Sequence, residues 1–385
     1  ITLPTGFRYN QWSAGPALLW APLYAAVHGA AALLHSVGVA APTSGYEAPY
    51  LFVTAWSTTL YTLVGVWLVY DIARRSMHEL VAALGVITVW LASPLLFYTY
   101  SSPFMSHALD FFAGALFLWV WQRTRPATSG WSWFWRGVVF GLCIFVRVQN
   151  VLLGGVLAFA LLWNLLATHA SWWKRIQMLL RNGLALGAGA AVLLAPLMLF
   201  WKVVYGAWVY NTYAITSQLD GIHMDLWRPR LLSLAFSNDH GLFFWSPVLL
   251  FSVIGLLYLL RQDLELGMLL IGVAALQFYF VSTLTNWNGG GPSFGARLLS
   301  GTLPSYAVGM AFFLHSLHGW LRIRWLALLC SVFIIWNFLL IVQYAMGTIP
   351  RSGAIDPVQL WRSQWSVVPD NLERIINILL TRRAS

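Results

Sequence analysis

Long apolar runs alternate with short polar connections along nearly the whole 385-residue chain. Runs able to cross a bilayer as helices occupy 51–70, 80–98, 104–121, 150–167, 183–203, 243–260, 267–284, 298–314 and 325–346. Each is about 17 to 22 residues, the length a hydrocarbon core of roughly 30 Å requires of a helix. The pattern predicts an all-α, polytopic transmembrane helical bundle forming one integral membrane domain over 1–385. A segment at 1–49 precedes the bundle at 51–346, and a tail at 347–385 follows it.

Two stretches need more than run length. Residues 137–167 are apolar for most of 31 positions, about 46 Å as a helix and too long for one untilted span. The flanking loops, 122–136 and 168–182, are both basic and belong on one side. A hairpin turning near Arg147-Val148-Gln149-Asn150 meets both conditions, giving about eight full spans plus the hairpin. Residues 14–37 are apolar but interrupted by Pro16, Pro22, His28 and His35. They read as a juxtamembrane helix at the outer interface.

Composition supports the class, because hydrophobic residues are 59% of the chain and charged residues only 9%, against roughly 25% in soluble domains. The net charge of +10 changes the picture only through its distribution. Arg74, Arg75, Arg123, Arg125, Arg136, Lys174, Arg175, Arg181, Arg261, Arg322 and Arg324 fall in alternate connections. That is the positive-inside arrangement, and it speaks for topology and against a nucleic-acid partner. Trp121, Trp131, Trp133 and Trp135 at the inner side read as an interfacial belt. Cys143 and Cys330 sit in apolar runs and read as small core residues. The opening residues look like the middle of something longer, which predicts an N-terminal part upstream of Ile1.

The polar inventory lies at the end opposite the basic loops. His107 and Asp110 share a helix face at the outer start of a span, where an ionisable group needs a reason. They suit acid/base work or a divalent cation such as Mg or Mn, and equally a hydrogen-bonded helix end. Arg147, at the hairpin turn, is placed to pair with Asp110 or to meet a phosphate. The loop Asn286–Arg297 holds Trp287, Asn288, three consecutive glycines and Arg297. Its arginine stands at head-group level for a lipid phosphate, although the Lys-Ser/Thr ending of a P-loop is missing. The long connection 204–242 offers Tyr210, Asp239 and His240 to a carbohydrate, with no zinc-type spacing.

Four segments together carry a family resemblance: Trp12–Tyr24 (WSAGPALLWAPLY), Ser106-His107, Gly241–Pro247 (GLFFWSP) and Ser293–Leu299 (SFGARLL) with Leu303-Pro304. They resemble bacterial GT-C glycosyltransferases, closest to the protein mannosyltransferase-like and aminoarabinose-transferase-like group. The resemblance implies an inner-membrane enzyme whose active site faces the periplasm or exterior. It would move a sugar from a polyprenyl-phosphate donor to a protein, lipid or glycan acceptor by inverting transfer. It implies catalytic roles for Asp110 and His107. Donor contacts would come from Arg297, Arg147, Trp287 and Asn288, and sugar or acceptor contacts from Tyr210, Asp239 and His240. The family's leading acidic residue sits in the first outer loop, which this reading places upstream of Ile1. Glu47 matches no family motif, so the base stays open. The alternative is a polytopic transporter or lipid-linked-sugar flippase, which would want ionisable groups at the membrane midplane.

Overall fold

The computed structural model describes residues 1–125, 129–168 and 170–373. Among them the only β-type pairings are two isolated bridges, Thr2 with Arg8 and Met224 with Leu284. In chain order the first helices are α1 (Gly15–Ser36), α2 (Ala48–Ala73), α3 (Glu79–Leu91), α4 (Pro94–Tyr100), α5 (His107–Arg123), α6 (Gly130–Val146), α7 (Leu153–Ala167) and α8 (Trp172–Tyr205). Three short helices follow, α9 (Ala214–Leu219), α10 (Leu231–Phe236) and α11 (Leu242–Trp245). The chain continues through α12 (Val248–Gln262), α13 (Leu264–Thr283), α14 (Leu303–His318), α15 (Ile323–Met346) and α16 (Pro357–Asp370). Among the described residues, six helical stretches are long and apolar enough to cross a membrane singly, and the bent pair α3–α4 makes a seventh when taken as one span. The protein is a helical integral membrane protein.

Contacts between helices fix their relative directions. Thr58 Oγ1 donates to the Pro103 carbonyl at 2.8 Å, and Asp71, farther along α2, meets Trp119 and Arg123 of α5. The two helices therefore run parallel. On α6, Gly130 faces Arg181 and Ala185 of α8, and Gly141 faces Ala190 and Leu193, so these helices are parallel too. α7 must then return between them, which makes the 137–167 stretch a hairpin. A 3₁₀ turn over Val148–Leu152 follows Arg147. Gln149 meets Gln277 while Val156 lies beside Gly272, so α7 is antiparallel to α13.

Close helix pairs depend on residues without side-chain bulk, because apolar burial drives little association in lipid. A Cβ on Gly255 of α12 would run into the Gly309 carbonyl oxygen of α14, whereas Gly187 on α8 has nothing within 4 Å. Gly255→Ala is expected to lower the thermal midpoint in detergent by the equivalent of about 1–3 kcal/mol, the usual cost of overpacking. Gly187→Ala is expected to leave it unchanged. Equal midpoints for the two variants would contradict this packing.

Two expected straight spans are broken. The 80–98 run bends by 71° between α3 and α4, where Pro94 supplies no N–H and Ser93 caps the new helix through its Oγ. Asn337 of α15 covers the break, its Nδ2 donating to the Leu91 and Ser93 carbonyls at 2.8 and 3.1 Å. Backbone groups freed at membrane depth need such a partner. The 243–260 run divides at Ser246-Pro247 into α11 and α12. The expected start of 298–314 is a 3₁₀ turn, Arg297–Thr302, leading into α14.

At the basic end, Arg136 is 2% exposed between two rings, 4.0 Å from the Trp121 centroid and 4.8 Å from Trp133. Those two tryptophans are core residues around a cation, while Trp131 and Trp135 stay exposed as an interfacial belt requires. Arg125 clamps Asp263 with both terminal nitrogens, at 3.0 and 2.7 Å, and so holds that carboxyl below its usual range. A depressed folded pKa contributes stability at neutral pH that disappears as the pH falls through the folded value. Arg125→Gln is therefore expected to remove one component of acid destabilisation. Thermal midpoints of the variant and parent should converge below the carboxylate range, and a constant gap down to strong acid would refute the role.

At the opposite end the N-terminal segment lies on the 204–216 connection, with Tyr205 donating to the Asn10 carbonyl at 2.5 Å and Tyr9 to Thr212 O at 2.5 Å. Along α1, Gly15 packs on Phe145 and Val146 of α6, Trp20 reaches Thr58 and His28 reaches Tyr50, so the helix heads away from the basic end and meets α2 along its first turns. The tail is not a free extension. α16 folds back on α15, with Gln364 donating to the Trp336 carbonyl and accepting from Gln343. Residues 374–385 of the expected tail lie outside the described residues.

Candidate functional site

Two polar clusters meet at the end remote from the basic loops. The deeper one is built where α5 begins and the α6–α7 hairpin turns. Asp110 is fully buried in the first turn of α5 and Arg147 stands at the C-cap of α6. Arg147 Nη1 donates to Asp110 Oδ2 at 3.3 Å and lies 3.3 Å from His107 Nδ1. Asn150 Nδ2 donates to Asp110 Oδ1 at 2.7 Å, and Gly301 packs against the carboxylate. Position 301 must be glycine, because a Cβ there would sit 2.8 Å from Asp110 Oδ2. Gln277 reaches Asn150 at 3.0 Å, and Gln149 joins Gln277, Arg147 and the Leu298 carbonyl.

The shallower cluster joins the 237–241 turn to the glycine-rich loop. Asp239 Oδ2 accepts from Asn288 Nδ2 at 2.9 Å, and its Oδ1 lies 2.8 Å from His240 Nδ1. His240 Nε2 donates to the Ser293 carbonyl at 2.8 Å, and its ring stacks on Trp245 at 4.9 Å. Among the described residues His240 is the one non-glycine with positive φ, +65°. Holding a residue there costs on the order of 1 kcal/mol or more, and such strain gathers at functional sites. Gly289, Gly290 and Gly291 take φ of +98°, +64° and +134°, conformations that keep the loop tight over the end of the bundle.

Tyr98 ties the clusters together. Its hydroxyl accepts from the Phe294 N–H at 3.0 Å, and its ring centroid is 4.6 Å from that of His107. Arg297 braces the loop from below, donating to the Gly289 carbonyl at 2.7 Å and to Pro292 O at 3.2 Å. Exposure separates the two carboxylates: Asp239 keeps 23% of its side chain accessible and Asp110 none. Among the described residues at this end, buried polar atoms without a hydrogen-bond partner include Asn286 Oδ1, Trp245 Nε1 and Ser246 Oγ.

No family model matches the chain, and no curated protein or solved structure matches it either. What the site does is therefore argued from its own geometry.

The nine residues singled out in the sequence divide clearly. His107, Asp110 and Arg147 form the buried cluster, and Asp239, His240 and Asn288 form the rim. Arg297 is tied to the loop, and Trp287 packs half-buried against the main core. Tyr210 stands apart, stacked at 4.3 Å on Tyr205 within a second hydrophobic cluster that includes Leu3 and Trp201. Among the described residues no three His, Cys, Asp or Glu side chains come together, and the Arg147 guanidinium already supplies the positive charge opposite Asp110. Gln277 and Tyr98 escaped the sequence reading. A lone glutamine within the apolar run 267–284 was the available signal for the first, whereas an aromatic ring at a span end gave none for Tyr98.

Proposed function

We propose that the protein is a membrane glycosyltransferase that takes a sugar from a polyprenyl-phosphate donor and transfers it to an acceptor at the polar end of the bundle. The observation carrying this reading is the Asp239 carboxylate, partly open and fixed by His240 and Asn288, above a buried charged platform. Asp239 serves as the base. It takes the proton of an acceptor hydroxyl as that oxygen bonds to the anomeric carbon. The bond from that carbon to the phosphate oxygen breaks with inversion, and polyprenyl phosphate leaves with the electron pair. A sugar hydroxyl suits the unpartnered Oδ1 of half-buried Asn286 in the glycine-rich loop, since buried polar atoms rarely go unpaired. Asp110, covered on every side, holds the 297–301 turn and His107 in place and is a positioning residue. Arg297 keeps the loop closed and lies close enough to the site to stabilise a departing phosphate. The reading places this end outside the cytoplasm, in a bacterial inner membrane.

The transporter reading wants charged groups at mid-bilayer. Here Asp110 lies in the first turn of α5 and Gln277 six residues from the end of α13, so the buried polar network stays near one end. The deciding experiment uses the purified protein in proteoliposomes with radiolabelled polyprenyl-phosphate sugars. Label appearing in an acceptor, with no faster exchange of donor between leaflets, supports transfer. Exchange without transfer would replace the enzyme by the transporter.

A further inference from the structure

The opposite, basic end carries a second feature that the transfer reading does not use. Asp71 closes α2 with a fully buried side chain, and three arginines converge on it. Arg74 Nη2 lies 2.7 Å from Oδ1, while Arg75 Nη2 and Arg123 Nη2 lie 3.1 and 2.9 Å from Oδ2. The Trp119 indole donates to Oδ2 as well, at 2.9 Å. Glu79, 3.7 Å from Arg74, is the only other acid bridged to this group among the described residues. Three guanidinium groups against two carboxylates leave a net positive charge. Neutralising one buried carboxylate explains one arginine and not three. Arg123 engages Asp71 through Nη2 alone, lies 5.0 Å over the Trp119 ring and keeps 44% of its side chain exposed.

Beside these arginines runs an apolar groove of about 400 Å³ between α5 and α6, closed by α8. Leu116, Trp119, Trp135, Val138, Leu142 and Leu193 line it, and Arg123 stands at its rim. It extends from Arg123 to Leu116, two helical turns or about 10 Å along α5. Trp135 is 42% exposed on its wall, so the groove opens on the lateral surface of the bundle. Either half alone has a simple explanation, as lipid-facing surface or as helix-end charge. Surplus positive charge at the mouth of an apolar slot fits an amphiphile with an anionic head.

We propose that this groove holds one acyl chain of an anionic phospholipid from the bilayer leaflet at the basic end, with the lipid phosphate against Arg123 and Arg75. The site is independent of the sugar-transfer reading and stands or falls separately.

The test titrates the full protein in mild detergent with phosphatidylglycerol, phosphatidylcholine of the same chains, or inorganic phosphate. Retained lipid is read by native mass spectrometry, and the thermal midpoint is followed alongside. Phosphatidylglycerol is expected to be retained and to raise the midpoint, and the other two are expected to do neither. Arg75→Gln/Arg123→Gln should reduce retention at least tenfold. Because that double variant also loosens Asp71, Leu142→Trp provides a second arm, filling the groove while leaving every arginine in place. It too should reduce retention at least tenfold. Equal retention of the two lipids, or phosphatidylglycerol retention that survives Leu142→Trp, would overturn the proposal. So would full stabilisation by inorganic phosphate, which would mark an ion site without a lipid.

Discussion

Asp110→Ala is expected to cost about 3–5 kcal/mol of stability, the largest single-residue effect in the protein, because it strands a buried guanidinium. Arg147 is about nine-tenths buried, and its remaining partners are neutral: Gln149 Oε1 at 2.8 Å and the His107 ring. The loss extends beyond one pair, since the Asn150 amide also loses an acceptor. Arg147→Met should be damaging in the same way, by leaving the Asp110 carboxylate without its cation. The double variant Asp110→Ala/Arg147→Met removes both charges together and should recover much of the single-variant loss. Recovery should be incomplete, because Asn150 still lacks that acceptor. Thermal unfolding of the four proteins in one detergent gives the coupling directly. Additive losses would mean that the two charges do not depend on each other, against the 3.3 Å contact.

Much of this architecture is legible in the chain because membranes limit the options. The basic connections set the alternation of helix directions, and the parallel pairs α2–α5 and α6–α8 agree with it. The hairpin follows from a length mismatch together with the basic loops on both flanks, since 31 mostly apolar residues do not fit one span and both loops belong on one side. The same hydropathy hides the 71° bend at Ser93-Pro94, because apolar content continues through the break and Asn337, which covers it, comes some 240 residues later. The buried cluster is half legible: Asp110 and Arg147 are conspicuous as charges in apolar surroundings, and pairing them is the natural solution. Gln149, Asn150 and Gln277 complete the network through neutral amides, whose cost in a membrane is smaller and whose signal is weaker. Asp239 and Asn288 are 49 positions apart on separate loops, and no periodicity links residues outside helices. Tyr210 shows the limit from the other side. A tyrosine in a polar loop looks available to a sugar, yet ring stacking on Tyr205 places it in another cluster.

The buried pair should govern stability, and the rim carboxylate should govern turnover. Asp239→Asn keeps the side chain's shape and removes its capacity to take a proton. If Asp239 is the base, transfer from a polyprenyl-phosphate sugar should fall by roughly 10²–10⁴, the usual contribution of a positioned base. The thermal midpoint should move by no more than the equivalent of about 1 kcal/mol, because the partly exposed carboxylate loses one charge-assisted contact with His240 while Asn288 can re-pair with the new amide. His240→Gln separates two explanations of such a loss. If the ring only orients Asp239, the variant should retain part of the rate and keep the dependence on Asp239. If the ring carries the proton itself, the two variants should be equally inactive and the double variant no worse. An Asp239→Asn protein with full transfer would remove the rim carboxylate from the chemistry. The base would then have to be sought elsewhere at the polar end, since Asp110 cannot reach an acceptor without giving up Arg147 and Asn150.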